Sequence, residues 1–375
     1  MPTGLDSIRA QRRADGKEHR GLFVLSAVVF LLLLVFQVCY RGKDAGFVNP
    51  LDALVNIVTW VRLSFSDLFS LSYYDSRDEI IAGLNYYAET VIRLRSALLI
   101  IASGAVLAVS GCIYQAAMRN SMAVPTMLGV SSGVNLGKIL LVWQFGEQVY
   151  FLTTQRYIYC YGIAAAVLVI VLAGGKLVGG KRSSVADMLI VGTIVNRMIS
   201  TVVNYIRTSM DTDVLAIYQE FSEKSYSAFN SIGNLLVLCG VSVIVLLPIY
   251  LMRYSYNAVC FDDSDARTLG LKPSVMRLYG LVAGAILTTA AMIHCGNIGM
   301  ISLVIPHLCR YLFGAEFKRL FHMSAFYGAL LLLASQVIAG FIYFDTYQIP
   351  LGSVISVLAM PILMWAMFRQ RRGWE

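Results

Sequence analysis

Charge is scarce in this chain. Only 14% of its 375 residues are Asp, Glu, Lys or Arg, against about 25% in soluble domains. The hydrophobic share is 58%, which is more apolar surface than a soluble globule of this length can hide. It also excludes the low hydropathy of a disordered chain. Histidine is sparse, with four residues scattered along the sequence. No HExxH, Ser-His-Asp or paired-carboxylate arrangement occurs in a plausible context, which argues against a membrane-embedded enzyme. The seven cysteines include no CxxC pair and most lie inside apolar runs. They read as small buried hydrophobes, not as a disulfide framework or a zinc site. No internal repeat or low-complexity segment is visible.

What is present is a series of apolar runs about 20 residues long, the length that crosses a hydrocarbon core of about 30 Å. Ten fit: 21–40, 93–117, 125–143, 157–178, 185–206, 231–252, 277–294, 299–312, 323–343 and 351–368. The eighth is short, and is expected to be tilted or partly re-entrant. The polar, basic stretch 1–20 precedes too long an apolar run for a cleaved signal peptide. The expected organisation is therefore a cytoplasmic tail 1–20, a single transmembrane domain 21–368 and a cytoplasmic tail 369–375. Within that domain 41–92 would be extracytoplasmic and 253–276 cytoplasmic. In this orientation basic residues favour the inner segments by 19 to 9, as the positive-inside rule requires. The net charge of +8 then reports orientation, not a nucleic-acid partner.

Few polar residues fall inside the spans. Asn196, Arg197 and Asn204 sit in the fifth, where a charge should face protein or water. Lys138 lies close enough to a span end to snorkel. His294 reads as an interfacial residue at the end of the seventh span. Most tyrosines cluster near span ends, as an aromatic belt would. Glycines 104, 111, 129, 133 and 137 suit close helix packing. The run Gly175–Arg182 nearly matches a phosphate-binding loop, but its last position is Arg and no strand precedes it. It reads instead as a basic loop with Gly179, Gly180 and Lys181. Between the sixth and seventh spans, Phe261–Leu271 suits a short helix. It is acidic at its start and ended by Gly270.

Five ordered motifs carry a resemblance. They are Arg93-Leu-Arg-Ser with the Gly-rich run to Gln115; Arg119-Asn-Ser-Met-Ala-Val-Pro125 with Leu128-Gly-Val-Ser-Ser-Gly133; Ala266-Arg-Thr-Leu-Gly270; Gly296–Arg310; and Ile349-Pro-Leu-Gly352. Together they resemble the FecCD-type permeases of bacterial ABC importers for iron-siderophore, haem or cobalamin, over roughly residues 60–370. The resemblance implies an all-α, polytopic fold of about ten transmembrane helices, like the cobalamin permease of type II importers. It implies a second permease subunit, two cytosolic ATPases that bind ATP and Mg, and an extracytoplasmic substrate-binding protein. This chain itself would carry no cofactor, metal or catalytic residue.

Carried onto this sequence, the resemblance implies docking of the binding protein at Arg93, with Arg95 in a shifted position. It implies ATPase coupling through Asp262, Asp263, Asp265, Ala266, Arg267, Leu269 and Gly270. On that reading Gly270→Pro or Ala266→Trp would abolish uptake without preventing insertion. The path candidates are Ser131, Ser132, Asn196, Arg197 and Asn204, and Gly179–Lys181 would border the inner gate. The expected cargo is an iron chelate, siderophore before haem and cobalamin. An ion-gradient-driven transporter is the alternative. It would need acidic residues paired inside spans, and Asp187 stands only at a span end.

Overall fold

A computed structural model describes residues 4–42, 46–68, 84, 86–180, 185–223, 232–261, 263–344 and 347–372. The chain divides into two compact units, Met1–Ala97 and Leu98–Glu375.

In the first unit, α1 (Gly4–Cys39) runs into a minimal hairpin of β1 (Tyr40–Gly42) and β2 (Gly46–Phe47). Val48 N donates to Cys39 O at 2.8 Å. The Phe36 ring stacks on Tyr40 and meets Phe47 edge-on, so aromatic packing closes this turn. The amphipathic run expected after residue 50 forms α2 (Pro50–Leu68). Buried Asn56 of α2 donates to Thr90 Oγ1 at 3.3 Å, near the start of α3 (Tyr87–Met118).

The second unit continues α3 and adds α4 (Val130–Phe145), α5 (Thr153–Gly179), α6 (Val185–Thr208), α7 (Thr212–Glu223) and α8 (Ile232–Leu251). After them come α9 (Arg253–Phe261), α10 (Asp263–Thr268), α11 (Pro273–Cys295), α12 (Ile301–Phe313) and α13 (Phe317–Phe341). The hairpin β3 (Tyr343–Phe344)/β4 (Tyr347–Gln348) and α14 (Leu351–Arg372) complete it. Each of the ten expected spans coincides with a helix. Among the described residues, seven helices are long and apolar enough to cross a membrane. At 13 residues, α12 reaches only about 20 Å, which agrees with the short eighth span. Between spans, α7 was not expected. Its apolar residues Val214, Ile217, Tyr218 and Phe221 recur at i, i+3, i+4 and i+7, the period of one helix face. That face packs on Ile139, Leu141 and Val142 of α4. Tyr150 in the turn before α5 donates to Glu220 of α7 at 3.0 Å. Its phenol is pushed up to about 12, chiefly by burial and then by the carboxylate.

Two helices hold the core. In both α3 and α11, 78% of the most apolar stretch is buried, against the other helices of the second unit. Ser110 and Thr288 join them through hydroxyls 3.1 Å apart. In lipid such helices associate by close backbone approach, not by the hydrophobic effect, and the glycines supply it. A methyl on Gly104 would stand 2.5 Å from Gly328 O, one on Gly328 2.4 Å from Gly104 O, and one on Gly111 1.8 Å from Ser302 O. Gly328→Val should therefore destabilise the purified protein by about 1–3 kcal/mol. Gly340→Ala in the same helix, with open space around it, should leave the melting temperature unchanged or slightly raised. Thermal unfolding in detergent checks both.

Candidate functional site

The chain leaves helical geometry between α11 and α12. Gly296 caps α11 with φ +79°, a left-handed value that favours glycine. Residues 296–300 are irregular before α12 begins. Irregular backbone leaves N–H and C=O groups without helical partners, and a polar cavity accommodates them. Here it does line one: a cavity of about 450 Å³, of ligand size, bounded by Asn297, by Ser132 and Asn135 of α4, by Asn204 and Arg207 of α6, by Gln219 of α7 and by Ser353 of α14. The start of α14 fits tightly against this break, since a methyl on Gly352 would stand 2.6 Å from Asn297 O.

The wall contributed by α6 continues beyond the cavity. Thr193, Arg197, Ser200, Asn204 and Arg207 recur at steps of four and three, which places them on one helix face, and all are exposed. The hydroxyls of Thr193 and Ser200 bond back to carbonyls of their own helix, so those two residues could face lipid. An amide and two guanidiniums could not do so cheaply: an arginine near mid-span costs about 2.5–3.5 kcal/mol even on the mildest scale. Of the most apolar stretch of α6 only 6% is buried, so within this chain little covers that face.

The expected path residues thus separate. Ser132 and Asn204 line the cavity, and Ser132 also donates to Gly129 O at 2.9 Å. Arg197 lies on the same stripe outside the cavity. Asn196 instead donates to Thr126 O at 3.2 Å, fastening α6 to the short helix Pro125–Leu128. Ser131 is buried and is not among the cavity residues. Asn135, Ser200, Arg207, Gln219, Ser222, Asn297, Ser353 and Ser356 also line the cavity and were not singled out, although Ser200/Asn204/Arg207, Ser132/Asn135 and Ser353/Ser356 keep helical spacing.

Three polar residues differ from expectation. Lys138 does not snorkel: it is fully buried, its ammonium 5.8 Å from the Phe221 ring centre. Phe221 belongs to α7, the helix that covers it. His294 is not interfacial but buried beside Tyr157, whose hydroxyl lies 3.3 Å from Nε2. Arg156, just ahead of the expected fourth span, is also fully buried. It donates to Asn234 Oδ1 at 2.9 Å and lies over the Tyr157 ring. Helix α8 supplies that asparagine, so a polar cluster joins α5, α8 and α11.

The remaining candidates lie elsewhere. Arg95 stacks on Trp60 at 5.4 Å. Arg93, two residues earlier on α3, projects from a different side of the helix. Gly179 ends α5 and Gly180 follows with φ +54°, while Lys181 lies outside the described residues. In the segment between α8 and α11, Asp262 is outside the described residues, and Asp263 and Asp265 belong to α10. Gly270 has φ +75°. Its N–H donates to Arg267 O, and Leu271 N donates to Ala266 O, the paired bonds of a Schellman cap. Arg267 and Leu269 are exposed, whereas Ala266 is fully buried among Tyr256, Val259 and Met276. A tryptophan at 266 would therefore disrupt packing and not report on a docking surface.

Neighbouring α9 is anchored on three sides. Arg119 Nε donates to Val259 O at 2.7 Å, Tyr256 OH to Met276 O at 3.1 Å, and Phe317 N to Asn257 Oδ1 at 2.8 Å. Arg119 itself has φ +50°, a sparsely populated state for a non-glycine residue at the end of α3. At the exposed start of α9, Lys318 and then Arg253 hold the Tyr254 phenol below its ordinary value.

Residues 54–369 match the FecCD transport family. Among curated relatives, the chain is 30% identical over 285 residues to the probable iron chelatin transport system permease protein of Helicobacter pylori, covering 75% of this chain and 82% of that one. It is 26% identical over 350 residues to the probable heme-iron transport system permease protein IsdF of Staphylococcus aureus, covering 92% and 97%. Among solved structures, a chain assigned to a metal-chelate type ABC transporter, in an inward-facing conformation, superposes with TM-score 0.70 at 18% identity. It covers 93% of this chain and 99% of that one. A chain of PsaBC from Streptococcus pneumoniae gives TM-score 0.54 at 15% identity, over 73% and 90%. The fold is accordingly the all-α fold of such importer subunits.

The Arg156 cluster generates a direct test. Asn234→Leu, which removes an acceptor from a buried guanidinium, should cost about 1.5–3 kcal/mol and lower the melting temperature. Asn234→Asp, which keeps the acceptor, should not. Equal melting temperatures for the wild type and Asn234→Leu would remove the cluster from the stability account.

Proposed function

The chain belongs to the FecCD transport family, and from that premise we propose that it is the permease subunit of an ATP-driven importer carrying a ferric siderophore across the bacterial cytoplasmic membrane. The observation that carries this reading is the polar face of α6. Thr193, Arg197, Ser200, Asn204 and Arg207 form a stripe along one helix, continuous with a cavity of about 450 Å³. Arginine and asparagine on an uncovered span require water or protein opposite them. A second permease subunit, placing its own polar face opposite, would enclose a hydrated path between the two. Serine, asparagine, glutamine and arginine along that path suit an oxygen-rich, anionic iron chelate. The flat apolar faces of haem would call for an apolar slot, so the polar wall favours the siderophore.

In this reading ATP and Mg are bound by two separate cytosolic subunits, and no catalytic residue belongs to this chain. The exposed Arg267 and Leu269 of the α10 turn dock against an ATPase, with Ala266 as the buried anchor. Because α9 is bonded to the end of α3 and the starts of α11 and α13, displacement of this segment is transmitted to the core helices. In this reading the segment and both termini lie on the cytoplasmic side, an orientation that the excess of basic residues supports. A substrate-binding protein docks from the other side, near Arg93. Arg95, stacked on Trp60, holds the shape of that surface.

Reconstitution into proteoliposomes with the ATPase and binding protein tests the reading. Ferric siderophore should accumulate only when ATP is supplied to the cytosolic face. Arg267→Glu combined with Leu269→Asp should reduce uptake about tenfold or more, the loss expected from an interface hot spot, with the permease pair still assembled. Uptake that persists without the ATPase would overturn the mechanism. Uptake of haem with exclusion of the siderophore would overturn the substrate.

A further inference from the structure

A second cavity, of about 470 Å³, lies where the ends of four helices meet. It is lined by Ala117 and Met118 at the end of α3, Leu172 and Lys176 near the end of α5, Met188 near the start of α6, and Ser274, Val275, Arg277, Leu278 and Leu281 in the first turns of α11. The inner wall is apolar: Ala117, Met118 and Leu281 are buried, while Leu172 and Met188 are half-buried. Its two cations come from different helices. The surface around it is greasy, with Leu177 84%, Val178 64%, Val275 59% and Leu278 52% exposed.

We propose that this cavity binds an anionic phospholipid, with the lipid phosphate held between Lys176 and Arg277 at the start of α11 and an acyl chain laid along Leu172, Met188 and Leu278. Three independent features converge on that ligand. Helix α11 is 23 residues long, begins with proline at its first turn and has no side-chain cap. Pro273 has no N–H, and Val275 and Met276 N both donate to Lys272 O, so it is the positive dipole end that favours an anion, with the Ser274 hydroxyl as an additional donor. A lysine and an arginine on neighbouring helices supply charge complementarity, as basic pockets between membrane helices do for anionic headgroups. The exposed leucines and valines flanking those cations are surfaces that acyl chains cover. Met118 and Met188 give the wall side chains that adapt to a flexible chain. A free phosphate would use the cations and leave the apolar wall uncovered, so the combination selects a lipid. The inference does not rest on the transported substrate or on the direction of transport.

Native mass spectrometry of the full-length protein, titrated with phosphatidylglycerol or phosphatidylethanolamine, tests it. Phosphatidylglycerol should be retained in preference, and Lys176→Ala with Arg277→Ala should lower its occupancy by about an order of magnitude. Ser274→Asp is a second variant that keeps folding in view. An acidic residue suits the first turn of a helix, so the protein should fold normally while its carboxylate repels the phosphate and occupancy falls. Equal retention of the two lipids would overturn the proposal. So would occupancy unchanged by either variant, displacement of the lipid by millimolar inorganic phosphate, or its loss on adding the ATPase subunits.

Discussion

Hydrocarbon does not solvate a guanidinium or an amide, and the placement of polar groups in this chain follows from that constraint. Two solutions appear side by side. Arg156, Lys138 and His294 are enclosed by protein, with Asn234, Tyr157 and the ring of Phe221 around them. Arg197, Asn204 and Arg207 are left on the outer face of a helix with little cover. The first group ties helices together. The second has little cover within this chain, and the proposed permease pair, with a hydrated path between its halves, would supply its complement.

The same constraint governs the backbone. Between α11 and α12 the chain abandons helical geometry at residues 296–300, where Asn297 borders a polar cavity and Gly352 lets α14 close over the break. Away from the cavity, helices approach until glycine meets glycine, as Gly104 and Gly328 do. A tightly packed core of this kind moves as discrete pieces. That is what the proposed coupling segment would need, because α9 is bonded to three of those pieces through Arg119, Tyr256 and Asn257.

Much of this was legible in the sequence because hydropathy reports burial in lipid directly. The helices at the ten expected spans, the Gly270 cap and the amphipathic helix after residue 50 each follow from a local pattern. The stripe on α6 was legible in part: Asn196, Arg197 and Asn204 stand out as polar residues in an apolar run. Separating Asn196, which fastens α6 to Thr126, from Asn204, which lines the cavity, needs the helix rotation that packing sets. Lys138 and His294 were misplaced because sequence gives depth along a span but not what lies beside it. The cover over Lys138 comes from α7, more than 70 residues away in the chain. Asn297 and Ser353 contribute to the cavity from separate motifs, and only the tertiary fold brings them to one wall.

The central claim is that one face of α6 borders water while the opposite face borders lipid. Cysteine accessibility in intact membranes of the assembled transporter measures this most directly, in a background where the exposed Cys239 is replaced by serine. Ser200→Cys and Asn204→Cys should react readily with a small, charged, water-soluble thiol reagent. Met198→Cys and Val202→Cys, on the opposite face and exposed in the single chain, should remain unmodified. Equal reactivity at all four positions, or labelling confined to 198 and 202, would contradict the account.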